Sequence, residues 1–548
     1  MRHVLIPILF LVGCNETNVP HQPVSFAFTE LPAGIERTVC GSDEPTQILE
    51  VNGTGLGLFD YDNDGDLDLF VVNAAALEDY ASGPGCRLYE NRSVDSTITF
   101  VDVTESAQIN VSTWANGVAI GDVNSDGFED LYITCHGPNV LLINTGKGTF
   151  RDATSNSGVG DDRWGTSAAF GDLDGDGDLD LYVCNYLEFD PGNPPPRAKY
   201  KGQSVLGGPH GMSPEHDIVY ENLGDGTFRD VTSKWQFDAT QAFSLNVAIV
   251  DFTGDGLQDV FVGNDSMANA LFVNTGETPT RYENIAVRTG VAANGDGSMQ
   301  ATMGIAIADM DGNSRPDIFT TNFSSDTNTL HLNEESGFFD DRTRQYGLGL
   351  LSRSLLGWTC GFHDFDLDGD EDLLIVNGHV YPEASSDSID SERAQPMLWM
   401  SRTGDRFEKA TVQGETTLRT YRDRAAVFGD LDGDGDTDVV VAQRNGPVRI
   451  LRNDATGRKP LVIQLQGHAM GAAMHITLDD GSVVSRWKHS GGGFQSSSAT
   501  APIFTFTQKR TPKKLEIVWG TGDRQTIDEI PASGVFTVVQ PILRTGTE

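Results

Sequence analysis

The chain has little positive charge for its length. Its 548 residues include 38 Lys and Arg against 79 Asp and Glu, so the formal net charge is −41. A chain of this charge repels the phosphate backbone, which excludes nucleic-acid binding by an electrostatic mechanism. Charged residues are only 21% of the chain, and apolar residues are 38%. This composition can supply a packed core, so disorder is a poor interpretation.

Long apolar runs are also missing. The run Val4–Val12 has nine residues and is interrupted by Pro7, so it is too short to span a hydrocarbon core of about 30 Å. The tetrapeptide LVGC that ends at Cys14 resembles the lipobox of bacterial lipoproteins. The resemblance implies a signal peptide over 1–13, a lipidated Cys14 and a tether over 14–23. It implies an exported lipoprotein, in the outer membrane because no Asp follows the Cys, with membrane contact through the lipid anchor only. An ordinary signal peptide is the alternative.

Cysteine is scarce and carries no zinc pattern. The chain has six cysteines and no CxxC or Cys/His spacing of the kind that binds zinc. Cys40 and Cys86 lie in loop-like sequence and could form a disulfide. The remaining thiols lie in apolar strand sequence and are expected to be buried and free: Cys135, Cys184 and Cys360.

Enzyme signatures are absent from the sequence. There is no GxSxG, HExxH, Walker loop or dinucleotide fingerprint. A catalytic site built from scattered Tyr, His, Arg and Asp would leave no such signature. The sequence therefore favours a protein without catalytic activity, but it leaves the enzyme question open.

An acidic nonamer is the dominant feature of the chain, and it recurs seven times at intervals of 50 to 79 residues. DLDGDGDLD, from Asp172, is a representative copy. Side-chain oxygens at positions 1, 3, 5 and 9 can converge on one ion, position 7 offers its backbone carbonyl, and Gly at position 6 permits a sharp turn. Hard oxygen ligands in this number favour Ca²⁺ over transition metals. The sequence therefore predicts up to seven calcium sites, of which the loop from Asp309, with Ser314 in place of Gly, is the weakest.

The predicted ligands of the seven loops, given in chain order, are Asp60, Asp62, Asp64, Asp66, Asp68; Asp122, Asn124, Asp126, Phe128, Asp130; Asp172, Asp174, Asp176, Asp178, Asp180; Asp251, Thr253, Asp255, Leu257, Asp259; Asp309, Asp311, Asn313, Arg315, Asp317; Asp364, Asp366, Asp368, Asp370, Asp372; and Asp430, Asp432, Asp434, Asp436, Asp438.

Each loop joins two predicted strands, as SAAFG and DLYVC do around the loop from Asp172. Two further strands follow in most units, which gives the four antiparallel strands of a propeller blade. Only six copies of the last strand follow the loops, and VSFAFTELPAGI, from Val24, resembles the missing copy. The sequence therefore predicts an all-β fold, with a seven-bladed β-propeller over 24–455 that the N-terminal strand closes without a free edge.

These loops and their flanks resemble FG-GAP/VCBS repeats, the calcium-bearing blades of integrin alpha-like propellers. The segments Val219–Thr232 and Asp180–Pro191 are similar to bacterial relatives of the cartilage acidic protein family. The resemblance implies a calcium-binding β-propeller and a role in binding or adhesion.

A different module follows the repeats. Over 459–541, short strands such as LVIQL, AMHITL and KLEIVW alternate with turn signals, which predicts a small β-sandwich-like domain. GGGFQSSSATAPIFTFTQ and the segment that begins KKLEIVWG resemble the ASPIC/UnbV domain, which commonly follows such propellers. Gly491–Gly493 is interpreted as a turn, because neither a P-loop Lys nor a helix follows it.

Antiparallel connectivity separates the two faces of the propeller. The calcium turns lie on one face, and the loops between second and third strands lie on the opposite face with the connectors between blades. That opposite face carries the insertions Ala74–Gly85, Tyr186–Asp217 and Gly378–Gln395. Loops on a rigid scaffold are frequent binding sites, although these loops could simply cap the propeller. The candidate ligand residues are Trp114, Trp164, Tyr186, Tyr200, His210, His216 and Arg353.

The sequence leads to three functional hypotheses. The first is a calcium-stabilised, lipid-anchored protein of the cell envelope that presents this face to a glycan or to an envelope or extracellular protein. The second is an enzyme, a lyase or hydrolase that acts on polysaccharide at the mouth of the propeller channel. The third is a structural scaffold of the envelope.

Overall fold

The computed structural model describes residues 24–32, 34–80, 83–94, 97–237, 241–334, 337–385, 391–413, 419–507 and 509–541. The predicted signal peptide, tether and lipidated Cys14 lie outside these ranges. The described helical segments are short: α1 (Thr154–Ser157), α2 (Ala286–Thr289) and two 3-10 turns at Ile48–Glu50 and Pro382–Ser385. None of the described helices is long and apolar enough to cross a membrane. The all-β prediction is confirmed.

Seven four-stranded antiparallel blades contain most of the described strands up to residue 453, and two of these blades gain a fifth strand from the C-terminal domain. Two short strands precede them, β1 (Ser25–Phe26) and β2 (Phe28–Leu31). The first three blades are β3 (Leu56–Phe59), β4 (Asp68–Val71), β5 (Arg87–Asn91), β6 (Phe100–Asp102); β7 (Ala115–Gly121), β8 (Asp130–Cys135), β9 (Val140–Asn144), β10 (Phe150–Asp152); and β11 (Gly165–Gly171), β12 (Asp180–Asn185), β15 (Ile218–Asn222), β16 (Phe228–Asp230), with the hairpin β13 (Ala198–Tyr200) and β14 (Gln203–Val205) inserted in the third.

The remaining blades are β17 (Ser244–Val250), β18 (Asp259–Asn264), β19 (Ala270–Asn274), β20 (Tyr282–Asn284); β21 (Ile305–Ala308), β22 (Asp317–Thr320), β23 (Thr329–Asn333), β24 (Phe339–Asp341); β25 (Gly357–His363), β26 (Asp372–Asn377), β27 (Leu398–Thr403), β28 (Arg406–Lys409); and β30 (Asp423–Gly429), β31 (Asp438–Gln443), β32 (Val448–Asn453), the last completed by β2. The short strand β29 (Thr411–Val412) pairs in parallel with β1.

The innermost strands form a closed ring. β3, β7, β11, β17, β21, β25 and β30 each contact the next, and β30 contacts β3. The N-terminal strand β2 pairs antiparallel with β32, so that Phe28 lies opposite Asn453 and Leu31 opposite Ile450. This pairing covers the outer edge of the seventh blade, because an unpaired strand there would expose a row of backbone donors and acceptors. All residues of β7, β11 and β17 are buried, which is why these strands are continuously apolar or small rather than alternating.

The C-terminal domain consists of two packed sheets. One has the order β38-β33-β41 and the other β35-β34-β39-β40. Their strands are β33 (Leu461–Gln466), β34 (Ala472–Leu478), β35 (Val483–Lys488), β38 (Ile503–Phe504), β39 (Pro512–Val518), β40 (Arg524–Asp528) and β41 (Gly534–Val539). Ile463 from one sheet and Met474 and Ile517 from the other share one buried cluster, as in a small β-sandwich.

A segment of this domain, 489–500, enters the propeller channel, and we call it the plug. Its strand β36 (Ser490–Gly491) pairs antiparallel with β17, and β37 (Ser497–Ser498) pairs in parallel with β3. The Gln495 carbonyl accepts a hydrogen bond from Val118 N at 3.1 Å. The remaining blades are reached through four further bonds: Phe170 N to Ser490 Oγ, Ile305 N to the Gly492 carbonyl, Phe494 N to Thr359 Oγ1, and Phe428 N to Ser498 Oγ, at 3.0–3.4 Å. The plug therefore contacts the innermost strand of every blade.

The composition of the plug follows from this position. A Cβ on Gly491 would lie 2.0 Å from the Val247 carbonyl oxygen, and a Cβ on Gly55 would lie 1.7 Å from that of Gln495. Only glycine permits such close backbone approach. Gly491 therefore belongs to strand β36 rather than to a turn, and the turn predicted for Gly491–Gly493 instead covers residues 493–495.

The rest of the C-terminal domain packs against the face that carries the acidic loops. Arg486 Nε lies 3.0 Å from Oε1 of Glu371, at position 8 of the loop from Asp364, and both side chains are largely buried. Arg458, which immediately precedes the domain, donates to the Leu367 carbonyl within that loop at 2.6 Å. The domain thus lies against this face of the propeller, and no described residue of its two sheets lies on the opposite face.

Candidate functional site

The seven acidic loops share one backbone conformation. The position 1 carboxylate accepts a hydrogen bond from the amide at position 6 in every loop, at 2.8–3.1 Å. The position 5 side chain accepts one from the amide at position 7 over the same range of distances. Position 6 is left-handed throughout, even at Ser314, whose φ is +64°. The loop from Asp309 therefore keeps the common turn although it lacks the glycine.

The position 9 carboxylate anchors each loop to its blade. Asp180, for example, accepts hydrogen bonds from Leu173 N and Asn222 N, both at 2.8 Å. The same two bonds recur in all seven loops, at 2.7–3.1 Å. This residue is buried in every loop, so it couples the loop to the third strand.

The arrangement of the carboxylates fits a hard cation. In five loops the oxygens of positions 1, 3 and 9 lie within 4.8 Å of one another: those of Asp60, Asp62, Asp68; Asp172, Asp174, Asp180; Asp309, Asp311, Asp317; Asp364, Asp366, Asp372; and Asp430, Asp432, Asp438. Several of the buried oxygens have no hydrogen-bond partner among the described residues, including Asp62 Oδ1, Asp309 Oδ1 and both oxygens of Asp432. Unpaired buried carboxylate oxygens are costly, and a calcium ion would satisfy them.

The pKa values of the loop carboxyl groups reflect the same crowding of negative charge. Burial, reinforced by neighbouring carboxylates, raises the pKa of Asp68, Asp130 and Asp317 to about 8. It raises the pKa of Asp172 and Asp364 to about 7. Without a cation these groups repel one another, so a bound divalent ion would favour their ionised forms.

The loops from Asp122 and Asp251 have fewer charges at the point of convergence. Asn124 donates through Nδ2 to Asp126 Oδ2 at 3.1 Å, and Thr253 donates to Asp251 Oδ1 at 3.4 Å. Neutral side chains thus replace the position 3 carboxylate in these two loops. The prediction that the loop from Asp309 binds calcium most weakly stays a prediction.

A second repeated contact, which the sequence reasoning missed, links neighbouring blades. The last residue of the third strand donates through Nδ2 to the position 2 carbonyl of the preceding blade: Asn91 to Leu431, Asn144 to Tyr61, Asn222 to Val123, Asn274 to Leu173, Asn333 to Phe252 and Asn453 to Phe365, at 2.8–3.0 Å. In the sixth blade Arg402 donates to the Met310 carbonyl at 2.6 Å. These bonds close a ring of seven. The recurring Asn at the end of LYEN, LLIN and VYEN was the available signal.

A cavity of about 520 Å³ opens on the insertion face. Tyr200, Phe323 and Tyr381 form one aromatic group in its wall, with ring centroids 5.5–6.0 Å apart. They come from the second-to-third-strand loops of the third, fifth and sixth blades, so the cavity is built by several blades together. Met299 and Trp358 also line it.

Polar groups in this cavity are few and specific. Tyr186 Oη donates to Asp265 Oδ2 at 2.6 Å. Burial raises the pKa of Asp265, while the bond from Tyr186, the bond from Ser266 and the nearby His210 oppose that rise. Lys201 Nζ donates to Ser325 Oγ at 2.6 Å on the rim. An apolar cavity with a few convergent polar groups is the usual form of a small-ligand site.

The structure divides the seven candidate ligand residues into three sets. Tyr186, Tyr200 and His210 line the cavity. His216 and Arg353 are exposed but do not line it: His216 contacts Gln241, and the Arg353 carbonyl accepts from Ser325 N at 2.7 Å. Trp114 and Trp164 are wrong as ligand-face residues, because they do not line the cavity and are 0% and 1% exposed in the core beneath the face. The additional cavity residues that the sequence did not identify are Asp265, Phe323 and Tyr381.

The proposed disulfide between Cys40 and Cys86 is also wrong. Both thiols are free and buried, and they belong to different hydrophobic clusters. Burial raises the pKa of Cys40 to about 11 and that of Cys86 to about 12. Cys135, Cys184 and Cys360 are likewise buried and free.

Two family models match the propeller, and a third matches the C-terminal domain. The FG-GAP-like repeat model matches residues 60–133, 122–183, 205–262, 251–320 and 309–375, and the FG-GAP repeat model matches 164–203. The ASPIC and UnbV model matches 464–543. No curated protein is significantly similar to the chain.

Three solved structures illustrate distant similarity. A lectin of Agrocybe aegerita, described as recognising non-reducing terminal N-acetylglucosamine, is 17% identical with a TM-score of 0.40, over 68% of this chain and 88% of the lectin. A rhamnogalacturonan lyase of Bacillus licheniformis is 10% identical with a TM-score of 0.32, over 83% and 84%. The biofilm matrix protein Bap1 of V. cholerae is 12% identical with a TM-score of 0.31, over 90% and 62%. Scores this low carry no functional argument.

The family models support the architecture directly. The FG-GAP-like matches together span more than half of the chain and coincide with the acidic loops and their flanking strands. The ASPIC and UnbV match coincides with the two-sheet domain that supplies the plug. The chain therefore belongs to the FG-GAP-like repeat family and carries a C-terminal ASPIC and UnbV domain.

Proposed function

We propose that this protein is a calcium-stabilised, lipid-anchored binding protein of the bacterial cell envelope, and that its insertion face holds a glycan or a protein partner. An FG-GAP propeller with an ASPIC and UnbV domain supports a binding or adhesion-like role. The aromatic cavity formed by Tyr200, Phe323 and Tyr381 is the observation that carries the proposal. Its position favours ligand binding there, because the C-terminal domain covers the opposite face.

The glycan version of the proposal follows from the chemistry of the cavity. Sugar rings stack their C–H faces on aromatic side chains and direct their hydroxyls to a few fixed polar groups. Tyr200 and Tyr381 supply the aromatic surface, and Asp265 and Lys201 supply polar groups. Cys14, outside the described residues, would carry the lipid, and the tether would hold the propeller away from the membrane surface.

Calcium has a structural role in this proposal. The ions would occupy the loops that the C-terminal domain covers, so they would stabilise the turns rather than bridge to a ligand. Each ion would neutralise carboxylates that otherwise repel one another across a few ångströms. Full loading of the seven loops is expected to stabilise the whole ring, because each loop is bonded to the third strand of its blade.

A glycan-array assay of the chain without residues 1–14 tests the proposal, in calcium and again in EDTA. We expect calcium-dependent binding to a defined class of glycan. Tyr200→Ala together with Tyr381→Ala should abolish that binding, and Phe338→Ala, at an exposed aromatic outside the cavity, should not. No glycan binding by well-folded protein would refute the glycan version, and a search for envelope protein partners would follow.

A polysaccharide-acting enzyme is the second candidate. The cavity brings together Tyr186, Asp265 and His210, which are residue types that donate and accept protons in catalysis. Incubation of a bound glycan with the protein and analysis of chain length tests this candidate. Shorter products that disappear with Asp265→Asn would support an enzyme, and intact glycan after long incubation would exclude one for that substrate.

A further inference from the structure

The lining of the cavity on the insertion face changes from buried residues at its base to exposed residues at its rim. The buried lining residues include four that are at most 4% exposed: Tyr186, Leu245, Met303 and Trp358. The exposed lining residues include Lys199, Lys201, His210, Met299 and Ser325. The volume of about 520 Å³ falls within the range of ~300–1,000 Å³ that is typical of small-ligand sites. The cavity is therefore large enough to enclose part of a ligand.

The carboxylate of Asp265, which is half-buried in the wall of the cavity, is held by neutral groups. Tyr186 Oη donates to its Oδ2 at 2.6 Å, and Ser266 Oγ donates to its Oδ1 at 2.9 Å. Among the described residues, no lysine or arginine forms an ion pair with it, and His210 acts on it without a hydrogen bond. A carboxylate can accept about four hydrogen bonds, so acceptor capacity remains. An enclosed carboxylate is costly without a cation, and a cationic group of a ligand would supply one.

The amide of Asn52 is a second group in the lining that lacks a partner. Asn52 is 5% exposed, and its Nδ2 has no hydrogen-bond partner among the described residues. Buried amide donors are nearly always paired with a protein group or an ordered water, so this one is expected to bond to an acceptor within the cavity. A hydroxyl oxygen of a ligand is such an acceptor. The lining thus combines a negative acceptor with a neutral donor.

The aromatic group of Tyr200, Phe323 and Tyr381 suits both a sugar ring and a cation. The ring centroids lie 5.5–6.0 Å apart. Aromatic faces carry partial negative charge, so they attract ammonium groups as well as the C–H faces of sugars. Lys201 makes a contact of this kind within the protein, since its Nζ lies 5.5 Å from the Tyr200 ring centroid. The wall that stacks a sugar ring would therefore also stabilise an amine on that ring.

The lysines of the rim leave the charge of Asp265 uncompensated. Lys201 Nζ donates to Ser325 Oγ at 2.6 Å, and Lys199 is exposed. Asp326 also lines the cavity and opposes their charge. Exposed charges are screened by water and salt, whereas the Asp265 carboxylate is enclosed by the wall. The inner part of the cavity is therefore negative although its rim carries lysines.

We propose that the cavity binds an amino sugar, with its ammonium group against Asp265 and its ring against Tyr200 and Tyr381. Asn52 Nδ2 would donate to a hydroxyl of the same sugar. An ammonium group is favoured over a hydroxyl because hydrogen bonds between ionised groups are about twice as strong as neutral ones. The net charge of −41 would also concentrate a cationic glycan near the protein. The inference rests on the proposed function, since it names the class of glycan for the same cavity.

Calorimetry tests the proposal with the chain without residues 1–14, in calcium at neutral pH and constant ionic strength. It compares short oligomers of glucosamine, N-acetylglucosamine and glucose, of equal length and linkage, which differ only in carrying an amine, an acetamide or a hydroxyl. We expect the glucosamine oligomer to bind at least about tenfold more tightly than the other two. Oligolysine of similar charge measures general attraction to the acidic chain and should bind more weakly than the glucosamine oligomer.

Asp265→Asn should remove this preference and weaken binding of the glucosamine oligomer about tenfold or more. The hydroxyls of Tyr186 and Ser266 can rotate to bond the new amide, so the melting temperature should stay unchanged. The matched control Asp225→Asn removes the same charge from an exposed turn outside the cavity and should leave binding unchanged. Equal weakening by the two variants would overturn the proposal.

The comparison of the three sugars on the wild-type protein decides the proposal even if Asp265→Asn folds poorly. Binding of the glucose or N-acetylglucosamine oligomer as tight as that of the glucosamine oligomer would overturn this inference and leave the proposed function standing. Oligolysine binding as tightly as the glucosamine oligomer would overturn it too, because charge alone would then account for the affinity. If none of the three sugars binds, the inference is overturned, and the glycan array decides the proposed function separately.

Discussion

Substitution of Phe494 is the most direct test of whether the plug stabilises the propeller. By sequence it belongs to the C-terminal domain, but its side chain is 0% exposed within the central cluster of the propeller. Its ring lies edge-on to Trp358, with 4.6 Å between the centroids and an interplanar angle of 64°. Truncation to alanine removes this contact and leaves a cavity at the centre of the ring. We expect Phe494→Ala to lower the free energy of unfolding by about 3–5 kcal/mol, of which about 0.5–1.5 kcal/mol comes from the aromatic pair.

Urea unfolding in calcium measures the loss, and hydrogen exchange locates it. Exchange should accelerate in β3 and β17, which pair with the plug strands β37 and β36. The control Phe504→Ala is equally buried but lies in the core of the C-terminal domain, so it should accelerate exchange in β33 rather than in β17. A loss below about 1 kcal/mol for Phe494→Ala, with unchanged exchange in the innermost strands, would refute the packing argument.

Three further predictions concern the loops. Asp172→Ala should lower the melting temperature in calcium, whereas Asp225→Ala, at an exposed turn, should not; equal melting of the two variants would contradict a structural calcium site. In EDTA, Asp68 and Asp317 have a folded-state pKa raised by burial to about 8, so the stability that they contribute is complete below about pH 4 and is lost as the pH rises through 8. The calcium-free protein should therefore melt at a higher temperature at pH 5.5 than at pH 8, and the opposite order would contradict the assignment. Asn222→Ala should destabilise the chain by about 1–3 kcal/mol in urea unfolding, since the buried Val123 carbonyl and the partly buried Leu179 carbonyl lose their donor; an unchanged midpoint would show that the bond between blades is dispensable.

The sequence predicted the structure best within the acidic repeat, because the residues of each copy define both the turn and its flanking strands. Acidic positions that alternate within nine residues, flanked by apolar strands, identify a turn between two buried strands. The outer strand that begins at Phe28 could be assigned to the last blade because a ring must contain equal numbers of each strand. The repeated Asn of the third strand was visible too, but without a model of neighbouring blades its carbonyl partner could not be named.

The plug was not predictable for a physical reason. Its glycines and serines are typical of a turn, and its partners are remote: Phe170 lies 320 residues from Ser490 along the chain. Backbone contacts of this kind require small side chains, but they do not require apolar residues at regular intervals. No local sequence pattern therefore indicates them. The misplacement of Trp164 has a related origin, since a connector tryptophan can cap a face from outside or pack beneath it, and composition does not separate the two.

The positions of the two modules would place a bound metal and a bound ligand on opposite faces of the propeller. The C-terminal domain covers the acidic loops and extends through the channel, and its Phe494 packs on Trp358, which lines the cavity on the far face. A ligand in that cavity would thus lie on the side of the ring away from the acidic loops. We therefore expect calcium to affect binding through the stability of the ring rather than through coordination of the ligand. Binding measured across a calcium titration should accordingly follow the folded fraction, and binding that is lost while the protein remains fully folded would show that an ion contacts the ligand directly.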